Sequence, residues 1–304
     1  MADAASPPAA ASGTPGLDRV PAVALVAGGI TSTQFGAAMA GTLFDELDAA
    51  SVSVLRLAFA ALVLGVVVRP RVRGRSRGDL RLVAAFGLTL GVMNLTFYEA
   101  IERIPLGIAV TIEFAGPLAV AVLGSRRRLD LVWVVLAATG IVVLAGVGGD
   151  GSGSLDTWGL ILAGIAGVGW FGYILLSERS GKRFSGLEGV ALAMAVAALV
   201  PLGPGVADGA GFLLEPEYLA IGFGVALMSS AIPYSLETEA LRRMPKSVFG
   251  VLMSLEPGVA ALAGFLVLGQ ALGARELVAI ALVVAASAGA TLAAGRGASF
   301  PEPE

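Results

Sequence analysis

Three formal charges stand well inside otherwise apolar stretches of the chain: Arg56, Glu113 and Glu256. Arg56 lies about two turns into its stretch. Glu113 follows Pro105 by eight residues and Glu256 follows Pro245 by eleven, roughly 12 and 16 Å along a helix. Both depths approach the middle of a hydrocarbon layer about 30 Å thick. A charge held there costs at least about 2.5–3.5 kcal/mol on insertion scales, so each is a functional candidate by default. One fixed cation against two carboxylates leaves negative charge over, and the cheapest relief is a proton on one glutamate. That is a physical basis for proton coupling. The structural alternative is an Arg56–Glu113 ion pair, with Glu256 neutral or capped by backbone N–H groups.

Prolines stand beside these carboxylates. Pro117 follows Glu113 by four residues on the same helix face, Pro257 directly follows Glu256, and Pro233 precedes Tyr234. Each removes a backbone hydrogen bond and frees a carbonyl, so all three are expected helix breaks or gating points. Backbone opened next to a carboxylate suits an ammonium group; a packing kink is the alternative, favoured at Pro233. Gln34, Asn94, Tyr98, Trp170, Tyr173 and Tyr234 are candidates to line a cavity, and singly each serves as well as an interhelical bond or interface anchor. Glu99, Glu102, Glu237 and Glu239 fall at the ends of apolar stretches, where solvent exposure is expected.

The rest of the composition removes competing chemistries. There is no His and no Cys, which excludes the Ser-His-Asp triad, thiol nucleophiles and disulfides, and nearly all zinc, haem and iron–sulfur ligation. No metal or cofactor is expected. Gly146–Ser154 is glycine-rich but has no following Lys, so it is no phosphate cradle, and Gly181-Lys182-Arg183 lacks the upstream Gly and the Ser/Thr. No Asp lies well inside an apolar stretch, which argues against a two-Asp intramembrane protease. An enzyme is not expected.

The elements that must position these groups follow from the apolar pattern. Of 304 residues, 56% are hydrophobic and 42 more are Gly, so about 70% is apolar or Gly where soluble domains have roughly half. Charged residues make up only 14%, and the mean hydropathy is +0.85. A soluble fold of this size has too little interior for that surface. Residues 1–18 are rich in Ala, Pro, Ser and Gly and read as a disordered tail. Ten apolar stretches follow, near 20–43, 50–68, 80–101, 104–124, 129–147, 157–177, 186–205, 217–240, 245–268 and 272–294. Each is close to the length that crosses a bilayer as a helix, and strands of alternating polarity are absent. With the N-terminus cytoplasmic, 17 of the 20 Lys and Arg fall on the cytoplasmic side, including the Arg69–Arg81 run; Arg103 and Arg275 fall outside, and Arg56 is within a span. This is a strong positive-inside signal that also places the C-terminus inside. The Arg-rich loop is read as a topology determinant and not as a nucleic-acid site.

The two halves resemble each other. Glu99-Ala100-Ile101-Glu102-Arg103-Ile104-Pro105 is answered by Glu239-Ala240-Leu241-Arg242-Arg243-Met244-Pro245 at an offset of 140 residues, which also sets Pro117 on Pro257 and Ala121 on Ala261. Ala27-Gly28…Phe35-Gly36 is answered by Ala163-Gly164…Phe171-Gly172. The carboxylates are not equivalents, since Glu113 falls on Met253 and Glu256 on Gly116. Five spans per repeat is odd, so the second copy is inverted, the mark of a secondary transporter. The expected architecture is an all-α integral membrane protein of ten helices in two inverted repeats, 19–148 and 157–295. An outer linker spans 149–156, and a C-terminal tail spans 296–304.

The segment Arg103–Ser125, read together with Ser229–Gly258, resembles the drug/metabolite transporter superfamily, and within it the threonine/homoserine exporters built from two EamA-type domains. Gln34-Phe35-Gly36 and Val54-Leu55-Arg56-Leu57 resemble that group too. The resemblance covers roughly residues 20–294. It implies a ten-helix carrier of the bacterial inner membrane that exports small amino acids, driven by the proton gradient, by alternating access. Its partners would be a zwitterionic solute, protons and the lipid bilayer. The family commonly carries an acidic residue after a Gly at the end of span nine, whereas here Gly269 is followed by Gln270. An exporter of another metabolite or drug on the same fold is the alternative, and an uncoupled channel the more distant one.

Overall fold

A computed structural model describes residues 19–123, 131–144, 155–207 and 210–297. The proposed N-terminal tail, the Arg126–Arg128 loop, the glycine-rich 146–154 stretch and the last seven residues lie outside the described residues. Among the described residues there are helices and turns and no strand.

The helices are α1 Ala22–Gly41, α2 Ala49–Val68, α3 Arg77–Ile101, α4 Leu106–Glu113, α5 Ala115–Leu123, α6 Leu131–Leu144 and α7 Thr157–Gly181. They continue with α8 Glu188–Ala197, α9 Leu202–Gly205, α10 Pro216–Ala226, α11 Ile232–Arg243, α12 Lys246–Met253, α13 Glu256–Leu268 and α14 Ala274–Gly297. Short polar side chains start several of them by satisfying orphan N–H groups. Asp48 accepts from Ser51 N at 2.6 Å, Asp156 accepts from Trp158 N at 2.7 Å, and Ser76 with Asp79 forms a reciprocal capping box at α3.

Among the described residues, eight helical segments are long and apolar enough to cross a membrane. Two further apolar helices are shorter: α6, described over 14 residues, and α8, over 10. The continuous span expected over 186–205 gives way after Ala197 to a turn and the four-residue α9. Pro201, Gly203 and Pro204 supply the reason, since a chain this rich in Pro and Gly cannot hold an i→i−4 ladder.

The spans expected over 104–124 and 245–268 are each broken in two, and the breaks match. α4 starts after Pro105 (φ −53°, ψ 139°) and ends at Phe114 (φ −64°, ψ −12°). α12 starts after Pro245 (φ −59°, ψ 140°) and ends at Ser254 (φ −61°, ψ −12°). The 140-residue offset seen in the sequence therefore carries α4 onto α12 residue for residue. The break does not fall at the prolines. Pro117 and Pro257 sit in the first turns of α5 and α13, where a missing N–H costs least; the ladder is interrupted just before them.

Pro233 produces a different irregularity. The segment from Pro216 to Arg243 runs on as one span, with a π-turn at Leu227–Ala231 in place of a break. Ile232 N bonds Leu227 O, so Met228 O would next need the N–H of residue 233, and proline has none. Ser32 on α1 supplies the donor instead, with its hydroxyl 2.7 Å from Met228 O.

Packing between helices relies on absent side chains. A Cβ on Gly116 would lie 2.2 Å from Gly167 O, and one on Gly107 2.7 Å from Ala261 Cα, so backbone meets backbone as is common between membrane helices. α3 packs on α7, α1 on α11, α6 on α14, α2 on both α8 and α10, and α4 on α13. The interior is largely Ala, Gly and Leu, while Val67, Leu123, Val135, Val168 and Leu266 point outward and are exposed.

Candidate functional site

The broken helices, the π-turn and the adjoining faces of α1, α2, α3 and α7 enclose a cavity of about 430 Å3. All three span charges reach it. Arg56 comes from α2, Glu113 from the end of α4, and Glu256 from the start of α13. Gln34, Asn94, Tyr98, Trp170, Tyr173, Tyr234, Pro117 and Pro233 line it as well. Pro257 is buried but does not reach the cavity; its role is confined to the first turn of α13.

Arg56 does not pair with Glu113. Its Nη1 donates to Asn94 Oδ1, and the guanidinium carbon sits 5.2 Å from the centre of the Tyr98 ring. Asn94 is itself held, donating through Nδ2 to Leu90 O at 2.8 Å. The ring and the amide hold the guanidinium in place without neutralising its charge. Glu113 and Glu256 are both buried, and neither forms an ion pair among the described residues. Phe114, at the α4–α5 break, stacks edge-on to Trp170 at 5.1 Å, so the aromatic side of the cavity is anchored at the point where the helix opens.

A third carboxylate joins them. Glu237, expected at a solvent-exposed span end, lines the cavity and lies against α1, where a Cβ on Gly29 would come within 3.1 Å of its Oε1. Its spacing from Pro233, four residues and so one face, is the signal that could have found it. Glu239 is also buried, contrary to expectation, but serves elsewhere. It bonds Arg243 and lies 3.5 Å from Arg242 at the end of α11. Glu99 and Glu102 both pair with Arg103, at 2.7 and 2.9 Å. Thr33, Ser229, Ser287 and Thr291 complete the polar lining and carry no distinguishing signal in the sequence.

Several buried polar atoms in this region have no hydrogen-bond partner among the described residues: Gln34 Oε1, Arg56 Nε, Tyr98 Oη and Ser229 Oγ. Each such atom costs about 1–3 kcal/mol unless something else satisfies it. A cavity with one unneutralised guanidinium, three carboxylates and unspent hydroxyl and amide groups is chemically matched to a small solute bearing both charges.

Comparison with known proteins agrees with this chemistry. The profile of the EamA-like transporter family matches residues 157–292. The threonine/homoserine exporter RhtA of Salmonella typhimurium (strain LT2) is 42% identical over 264 residues, 86% of this chain and 88% of that protein. RhtA of Escherichia coli (strain K12) is 41% identical over 274 residues, 90% of this chain and 92% of that protein. The chain belongs to the EamA-like transporter family. A crystal structure of a protein 18% identical shares the fold, with a TM-score of 0.59 over 91% of this chain and 99% of that one. This EamA-like transporter is therefore a multi-pass membrane protein that moves a solute and not an enzyme, and its cavity is the place to seek the solute.

Proposed function

We propose that this protein exports small amino acids of the threonine/homoserine type across the bacterial inner membrane in exchange for protons. The observation that carries the reading is one cavity that joins Arg56, a cation well inside its span, to three carboxylates. A zwitterion needs an anion for its ammonium and a donor for its carboxylate. Glu113 or Glu256 serves the first and Arg56 the second. A proton and an ammonium group competing for the same carboxylate couple the two flows by mass action. The relatives named as threonine/homoserine exporters support the substrate class.

Ten spans in two inverted five-helix repeats, with both termini cytoplasmic, are the arrangement that accounts for the matched α4–α5 and α12–α13 breaks and for the distribution of Lys and Arg. Alternating access then moves one set of helices against the other around the fixed cavity. The test is flux of threonine and homoserine, beside a panel of other solutes, in proteoliposomes with an imposed pH gradient. Glu113→Gln and Glu256→Gln are each expected to reduce gradient-driven flux at least tenfold, about what losing a charge-assisted contact gives. If both variants fold and carry threonine at the wild-type rate, the coupling mechanism is wrong. If the panel singles out a different solute, the substrate class falls and the fold-level reading stands.

A further inference from the structure

Four groups around the α2–α3 side of the cavity are left unspent by the protein. Gln34 is 3% exposed, Tyr98 1% and Ser229 8%, and each carries a polar atom with no hydrogen-bond partner among the described residues. All three line the cavity with Arg56, whose Nε is also buried and unpartnered. Asn94 takes Nη1 of Arg56, which leaves the Nε–Nη2 edge of the fork unengaged. Tyr98 lies beneath the same guanidinium, and its hydroxyl lies within interaction reach of Ser229 and Arg56 but forms no well-aligned hydrogen bond among the described residues. Ser229 is fixed by the π-turn, and Gly36 of α1 lies so close that a Cβ there would stand 2.5 Å from its Oγ.

We infer that Arg56, Tyr98, Ser229 and Gln34 form a half-site for the substrate's carboxylate, with Asn94 as the residue that positions Arg56. The chemistry selects an anion with two coplanar oxygens. The Nε–Nη2 edge presents two parallel N–H donors at the spacing of a carboxylate. Tyr98 and Ser229 add hydroxyl donors, and the Gln34 amide can turn its NH2 toward the same oxygens. A cation would be repelled by Arg56. An uncharged solute would leave the guanidinium unneutralised in a buried setting, which is costly. The carboxylates of Glu113, Glu237 and Glu256 reach the cavity from other helices, α4, α11 and α13, and are left for the ammonium and the proton. The π-turn thereby acquires a purpose: it sets Ser229 beside Tyr98 at a point where Pro233 prevents a regular ladder.

The inference rests on the amino-acid reading above, and its test separates the two. Binding of threonine and of threoninamide, which keeps the ammonium and hydroxyl but lacks the carboxylate, is measured on detergent-purified protein at fixed pH by calorimetry. Wild type is expected to prefer threonine by about a hundredfold, the worth of a bidentate charged contact. Tyr98→Phe and Ser229→Ala are each expected to weaken threonine binding about fivefold to tenfold and to leave threoninamide unchanged, as removal of one donor to a charged group should. Arg56→Gln should abolish the preference, and Asn94→Leu should diminish it with Arg56 intact. A merely structural role for these residues would weaken both ligands together and leave the ratio unmoved, and that result overturns the half-site. Equal binding of the two ligands by wild type overturns it as well. Threonine that binds with the expected ratio but is not carried in proteoliposomes overturns the exporter reading and leaves the half-site standing. No binding of either ligand overturns both.

Discussion

Burial and charge act against each other at single residues, and the outcome depends on what each side chain finds nearby. Arg56 is the clearest case. A lone cation in an apolar stretch invites pairing with the nearest carboxylate, yet it is held by an amide and an aromatic face, which keep its charge available. Glu237 shows the converse, since a residue near a span end is exposed only if the helix end itself is exposed; here α1 covers it. Glu102 stands just beyond the end of α3, and its partial burial pushes its carboxyl above the ordinary value of 4.5 although Arg103 pulls the other way. The folded state then holds a proton more tightly than the unfolded one, so stability is present below the unfolded value and is lost as pH rises through the folded value. Glu102→Gln is accordingly expected to match wild type in thermal denaturation at about pH 4 and to equal or exceed it at about pH 8. A clear loss at the higher pH would show that the Arg103 pair outweighs the burial.

Irregular backbone, at the next scale up, is where the helices become useful. The α4–α5 and α12–α13 breaks place Glu113 and Glu256 on opposite sides of a similar interruption: Glu113 closes the helix before its break, whereas Glu256 opens the helix after its own. That difference is why the two carboxylates occupy non-equivalent positions in a repeat whose backbones match. The close approach of α5 and α7 depends on Gly116, and the contrast with Gly164 on α7 makes this testable. A Cβ at Gly116 meets Gly167 O at 2.2 Å, whereas one at Gly164 has nothing within 4 Å. Gly116→Ala is expected to destabilise by about 1–3 kcal/mol through overpacking. Gly164→Ala should be neutral or stabilising by up to about 1 kcal/mol through helix propensity. Melting temperatures in detergent check both, and equal effects would contradict the packing described. What separates the two glycines is the helix that lies opposite each of them.

For the molecule as a whole, the two halves are joined across the end of the bundle that the charge distribution assigns to the outside. Gln270 of the second half accepts from Leu106 N at 3.0 Å and so caps α4 in the first. Gly269, with φ 65°, turns the chain so that Gln270 N can close back on Gly264 O at 3.1 Å. Gln270→Ala is expected to lose about 1 kcal/mol, as other lost N-caps do, and Gln270→Glu to retain it because a carboxylate accepts the same N–H at a helix N-terminus. Thermal denaturation of the two variants measures the difference, and an unchanged Gln270→Ala would show that the contact contributes nothing. The sequence by itself determined the membrane class and the short roster of charges in the spans, because the cost of apolar surface in water and of charge in lipid is set by residue type and spacing alone. The side chains it nominated to line a cavity, Gln34, Asn94, Tyr98, Trp170, Tyr173 and Tyr234, do line one, since a polar group between apolar helices has few other places to go. Only the tertiary structure decided where the helices break, that Glu237 faces inward, that Arg56 has no ion pair among the described residues, and that Pro257 stays outside the cavity. Each of those outcomes turns on which helix lies opposite, and hydrophobic pattern along one helix carries no information about the side chain, carbonyl or bare glycine that another helix presents to it.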